Sequence, residues 1–156
     1  MQCVYPGSFD PITLGHLDII QRASKAFDRV YVTILVNHKK TYLFRIEERL
    51  AMIRKACSDI PNVEACFYDG LLIEFARQMH AQTILRGLRS ASDFEFELQM
   101  ANLNKQLAPE IETYFMATSP ALSYISSTAV RELAMFHADI SNYVPISIVK
   151  DIQSKF

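Results

Sequence analysis

The chain has 156 residues, half of them apolar and 21% charged, the balance of one soluble globular domain that can bury a core without a disulfide or a metal. Sixteen basic residues against seventeen acidic ones leave a net charge of −1, which argues against nucleic-acid binding through bulk charge but leaves room for a small anionic ligand. Glycines scattered at positions 7, 15, 70 and 87 exclude the G-x-G-x-x-G and G-x-x-x-x-G-K-(S/T) nucleotide loops, and no apolar run reaches membrane-spanning length. Three cysteines without a C-x-x-C pair suit a reducing cytoplasm, and the first residues lack the basic-then-apolar pattern of a signal peptide.

In chain order, Cys3-Val4-Tyr5 reads as a short buried strand stopped by Pro6-Gly7. Residues 14–27 read as a helix with Leu17, Ile20, Ala23, Ala26 and Phe27 on its apolar face. The β-branched run 30–36 is a strand, and 45–58 a helix with Ile46, Leu50, Ile53 and Cys57 as its stripe. Strands follow at 63–67, 83–85 and 112–116, and helices at 71–80, 93–107, 127–135 and 146–152. This alternation predicts one α/β domain over 1–156: a Rossmann-like, doubly wound parallel sheet of about five strands, helices on both faces and a helical C-terminal end. Ligands of such sheets lie beyond the carboxyl ends of the strands. That directs attention to residues 6–16, 37–44, 68–72, 86–92 and 117–128.

The first of these loops, Pro6-Gly7-Ser8-Phe9-Asp10-Pro11-Ile12-Thr13-Leu14-Gly15-His16, enters a helix whose free N–H groups form an anion seat. Thr13 and His16 share one face of the first helical turn. They read either as a cap and a surface histidine or as a hydrogen-bond donor to phosphate. Asn37-His38-Lys39-Lys40 places lysines at a strand end, where they are either solvated or turned to an anion. In Arg86-Gly87-Leu88-Arg89, two guanidinium forks suit phosphate, and Ser90 and Ser92 each begin a capping box for the helix that follows. Ser126-Ser127-Thr128 supply hydroxyls before a helix, either as caps or as a phosphate seat. Arg131, one turn further in, adds charge there.

Taken together, Tyr5-Pro6-Gly7-Ser8-Phe9-Asp10-Pro11-Ile12-Thr13-Leu14-Gly15-His16, the lysine loop running into Phe44 and Glu47-Glu48-Arg49, Arg86-Gly87-Leu88-Arg89 before Asp93-Phe94-Glu95, and Ile125-Ser126-Ser127-Thr128 resemble four motifs of the bacterial phosphopantetheine adenylyltransferase family. This family lies in the nucleotidyltransferase superfamily marked by (H/T)-x-G-H, and the resemblance runs from Tyr5 to about Tyr143. It implies adenylyl transfer from ATP to 4′-phosphopantetheine, giving dephospho-coenzyme A and pyrophosphate by direct in-line attack. By match, His16 and Lys40 are the catalytic pair, with Lys39 as the alternative to Lys40. Ser8, Lys40, Leu72 and Arg86 fall on the pantetheine side. Ser8, Phe9, His16, Gly87, Leu88, Arg89, Glu97, Leu122, Ser123, Tyr124, Ile125, Ser126, Ser127 and Thr128 fall on the ATP side. The resemblance further implies Mg²⁺ carried mostly by water and phosphate oxygens, feedback binding of coenzyme A, a cytoplasmic enzyme and a homohexamer. Ser8 stands where many members have threonine, and Thr41-Tyr42 is an uncommon pair in the lysine loop.

Three readings compete with this one. Nicotinate-mononucleotide adenylyltransferases and glycerol-phosphate cytidylyltransferases share the Gly-His pair, and a non-catalytic nucleotide sensor could share the fold. The helix at 93–107 is apolar on two sides, with Phe94, Leu98 and Ala101 on one and Phe96, Met100, Leu103 and Leu107 on the other. Its second cover is either another subunit or the chain's own C-terminal helices.

Overall fold

A computed structural model describes Met1–Phe156. Five parallel strands form one sheet in the order β3-β2-β1-β4-β5: β1 (Gln2–Gly7), β2 (Arg29–Leu35), β3 (Val63–Tyr68), β4 (Thr83–Leu88) and β5 (Glu112–Ala117). The helices are α1 (Leu14–Ala26), α2 (Ile46–Ala56), α3 (Leu72–Gln78), α4 (Ala91–Leu107), α5 (Ser127–Met135) and α6 (Val149–Gln153). Chain order reverses direction between β1 and β4, which is where an open parallel sheet offers a crevice.

Alternate side chains on each strand serve opposite faces. Cys3, Tyr5, Val30, Val32, Ile34 and Leu85 pack with Ile19, Ile20 and Ala23 of α1, Leu50 and Ile53 of α2, Val130 of α5 and Ile152 of α6. Val4, Tyr31 and Ile84 point the other way, onto Ile73, Phe75 and Ala76 of α3. Ile19, rather than Leu17 or Ala26, completes the buried face of α1.

Two strand ends differ from the sequence reading. Pro6-Gly7 does not stop β1, which pairs with β2 through Gly7 but with β4 only at Cys3 and Val4. Pro6 lacks an N–H, and here the strand has already parted from β4, so no ladder bond is lost on that side. Likewise β4 does not end at Leu85. Arg86, Gly87 and Leu88 pair with Phe115, Met116 and Ala117 of β5, so these residues belong to a strand rather than a loop. The β1–β4 parting is thus flanked on each side by intact pairing.

The C-terminal end does not cover α4. A 3₁₀ turn at Ile146–Ile148 and α6 pack with α2 instead, and Lys55–Asp151 and Lys155–Glu48 ion pairs tie them there. No residue of α4 is buried, and Phe94, Phe96, Leu98, Met100, Leu103 and Leu107 are all exposed.

Candidate active site

Two adjoining cavities, of about 300 and 380 Å³, open where β1 and β4 part, and Gly7, Arg86 and Glu97 line both. The first is mostly polar. It gathers His16, Gly87, Arg89 and Ser126, Ser127 and Thr128, together with Phe9, Glu97 and Ile125. The second is more apolar. Ser8, Lys40 and Leu72 line it with Tyr42, Phe96, Met100 and Asn104. His16 and Arg86, seventy residues apart in sequence, therefore face one space. Lys40 lines the second cavity and Lys39 lines neither. Leu88, Leu122, Ser123 and Tyr124 also line neither; Tyr124 stands 68% exposed with its ring edge-on to Tyr143.

His16 is both a cap and a pocket residue, so the two readings of it coexist. Thr13 is the N-cap of α1, and its backbone N–H donates to His16 Nδ1 at 3.0 Å. A nitrogen that accepts cannot carry the proton, so the neutral ring bears its hydrogen on Nε2. Burial, reinforced by the Arg89 charge, lowers the imidazole pKa to about 4, so the ring stays neutral near pH 7. It is a fixed-tautomer donor. Phe9 packs edge-on to this ring with centroids 5.0 Å apart. Its own backbone takes a left-handed φ of 46°. A Cβ on Gly7 would stand 3.0 Å from the Phe9 ring, so any larger residue there would press on the ring that packs against His16.

Arg86 is already oriented. Its Nε and Nη2 donate to Glu97 Oε2 and Oε1, each at 2.6 Å, and Nη1 donates to the Pro6 carbonyl at 3.0 Å across the strand gap. Five N–H groups less three leaves the remainder for a ligand. Arg89 Nη1 donates to the Ile125 carbonyl at 3.2 Å, and Asp93 pairs with Arg89 at 3.4 Å. Ser126 caps α5 by accepting from the Ala129 N–H, while Ser127 donates to the Pro11 carbonyl at 2.7 Å. The hydroxyls thus shape the helix start, and the first-turn N–H groups of Ser127 and Thr128 remain for an anion.

Sequence reasoning missed two braces. The buried Asp10 carboxylate accepts from the Leu43 and Phe44 N–H groups, both at 2.9 Å, which pins the end of the lysine loop to the first loop. Arg131, expected to add charge to the anion seat, instead donates to the Asp10 carbonyl at 2.6 Å. Arg49 is buried behind Ser8 and donates to its carbonyl at 2.9 Å. The available signals were an acid amid Phe9 and Pro11-Ile12, and an arginine on the Ile46, Leu50, Ile53 stripe. The chain contains no cluster of three His, Cys, Asp or Glu side chains that could hold a metal. Asp93 and Glu97, the acids of the first cavity, are engaged by Arg89 and Arg86.

A crevice between the parted carboxyl ends of β1 and β4, with a neutral imidazole, two guanidinium groups and a helix N-terminus, has the make-up of a nucleotidyltransferase-type site. A family model described as cytidylyltransferase-like matches residues 4–133. The phosphopantetheine adenylyltransferase of Clostridium perfringens (strain 13 / Type A) is 52% identical over 152 residues, 97% of this chain and 93% of that one. The enzyme of the same name from Nostoc punctiforme is 54% identical over 97% of this chain and 83% of its own. A solved putative nicotinate-nucleotide adenylyltransferase from Vibrio parahaemolyticus shares the fold, with a TM-score of 0.69, 21% identity and 97% coverage of both chains. The chain belongs to the phosphopantetheine adenylyltransferase family, within the cytidylyltransferase-like nucleotidyltransferases.

Proposed function

We propose that this chain, as one nucleotidyltransferase domain, transfers the adenylyl group of ATP to 4′-phosphopantetheine, forming dephospho-coenzyme A and pyrophosphate. The observation that carries the reading is the pair of adjoining cavities that meet at Arg86. A polar one suits a triphosphate, and a more apolar one suits a pantetheine arm with its phosphate turned to the junction.

The chemical difficulty is one anion attacking another. The acceptor phosphate oxygen forms a bond to the α-phosphorus as the bond to the departing pyrophosphate breaks, with no covalent enzyme intermediate. Positioning and placed positive charge do this work. In this reading the His16 Nε2–H donates to the α-phosphate as charge builds on it. Lys40 reaches in from the second cavity. Ser8 and Arg86 aim the acceptor phosphate, and Arg89 with the N-terminus of α5 holds the leaving pyrophosphate. Nucleotidyltransferases acting on ATP use a divalent metal, and Mg²⁺ is our assignment. With the nearby acids committed to arginines, such an ion fits on the nucleotide's own phosphates rather than in a protein cage.

The same reading takes the enzyme to be cytoplasmic and open to feedback binding by coenzyme A; no helix is long and apolar enough to cross a membrane. The bare apolar faces of α4 support the homo-oligomer, a hexamer, that the family resemblance implies. The deciding experiment is pyrophosphate release from ATP with 4′-phosphopantetheine, set against CTP and against nicotinate mononucleotide as alternative substrates. Release with either alternative and none with 4′-phosphopantetheine would replace this reading with that of a sister enzyme.

A further inference from the structure

We propose that Arg49 is a positioning residue for the transfer. From behind the site it locks the Ser8 loop to the Lys40 loop, so that the Ser8 hydroxyl and the Lys40 ammonium converge on one phosphate. This rests on reading the second cavity as the acceptor site.

Arg49 is 2% exposed, yet it forms no ion pair. Of the two acids whose fields reach it, Glu47 is exposed and forms no ion pair with it, and Asp10 is committed to the Leu43 and Phe44 N–H groups and to Arg131. An unpaired buried cation is costly, so its remaining contacts identify what it holds. There are two. Nη1 donates to the Ser8 carbonyl at 2.9 Å, and the guanidinium carbon sits 4.2 Å from the centre of the Tyr42 ring. Ser8, Lys40 and Tyr42 all line the second cavity. Tyr42 is two residues from Lys40, and it is followed directly by the backbone that Asp10 pins.

The Tyr42 hydroxyl is buried without a partner, as is Arg49 Nε. The ring therefore holds the loop through its face on the guanidinium, and the hydroxyl takes no part. A planar delocalised cation is needed for that contact, and an ammonium is a poor substitute.

The test compares Arg49→Lys, Tyr42→Leu and Tyr42→Phe by steady-state kinetics and by hydrogen exchange of residues 38–44 in the full chain without substrate. Misplacing the loop by about 1 Å costs on the order of 100-fold in rate. Arg49→Lys and Tyr42→Leu should therefore lower kcat by roughly ten- to a hundredfold while the KM for ATP changes by less than about threefold. Tyr42→Phe, which keeps the ring on the guanidinium, should lose far less kcat than Tyr42→Leu. A double variant carrying Arg49→Lys and Tyr42→Leu should be no worse than the poorer single, because both act through one stack. Exchange of residues 38–44 should accelerate in the two damaging variants and not in Tyr42→Phe.

Wild-type kcat in folded Arg49→Lys or Tyr42→Leu, a multiplied loss in the double variant, or equal damage from Tyr42→Phe would each overturn the proposal. If Arg49→Lys does not fold, the Leu and Phe variants at position 42 decide. If the wild-type chain releases no pyrophosphate from ATP and 4′-phosphopantetheine, the functional reading fails, and the exchange pattern alone decides whether the lock exists.

Discussion

His16→Ala separates a catalytic donor from a helix cap, because the structure gives the ring both tasks. Losing one preorganised donor to a developing oxyanion costs about 3–4 kcal/mol, or roughly 10²–10³ in kcat. Losing the acceptor for the Thr13 N–H costs stability of about 0.5–2 kcal/mol, by analogy with other helix caps. ATP affinity by calorimetry should shift by only a few-fold, since Arg89 and the first turn of α5 remain. The pH dependence is a second readout. The fall from the ordinary 6.5 to about 4 amounts to roughly 3 kcal/mol at about 1.4 kcal/mol per tenfold in proton affinity. Burial favours the neutral ring in the folded state, so this stability is intact above pH 6.5 and is lost as pH falls toward 4. Denaturant titrations between pH 4 and 7 should show that slope in the wild type and a shallower one in His16→Ala. Wild-type kcat in the variant, or a wild-type rate that rises as the ring protonates near pH 6, would refute a neutral Nε2 donor.

Three further outcomes follow from the geometry. Arg86→Ala should raise the KM for 4′-phosphopantetheine by roughly ten- to a hundredfold, the equivalent of one or two charge-assisted hydrogen bonds. It should also lower thermal stability by leaving the half-buried Glu97 carboxylate unpaired; an unchanged KM for that substrate would remove Arg86 from acceptor binding. Asp10→Ala orphans the Leu43 and Phe44 N–H groups at about 1–3 kcal/mol each, so calorimetry should show a Tm several degrees lower, and kcat should fall as the lysine loop loosens. Leu103→Glu, at a position 58% exposed on α4, should give a monomeric mass by light scattering with native circular dichroism; an unchanged oligomeric mass would place the subunit contact elsewhere.

The sheet was legible wherever β-branched runs were bounded by Pro, Gly or Asn, and the site was legible wherever polar residues cluster after such runs. Arg86-Gly87 breaks the apolar alternation, so β4 reads as ended at Leu85, although pairing with β5 carries it to Leu88. Backbone hydrogen bonding to one neighbour suffices there, and side-chain pattern carries no trace of it. Arg49 and Asp10 escaped for a different reason. Their partners are backbone groups of distant loops, the Ser8 carbonyl and the Leu43 and Phe44 N–H groups, and a carbonyl or amide has no letter in a sequence. Thr13 and His16 were visible as a capping pair, but only the 3.0 Å contact to Nδ1 tells which nitrogen holds the hydrogen.

The fork between β1 and β4 has an architectural corollary. Its floor is main chain anchored on both flanks by neighbouring strands, and the one side chain that spans it is Arg86, through the Pro6 carbonyl. On the proposed reading, selectivity for what enters falls to the side chains of Leu71, Leu72, Phe96 and Met100 along one wall. Anyone redesigning this scaffold to accept a different phosphorylated alcohol can repaint that wall and leave the frame alone.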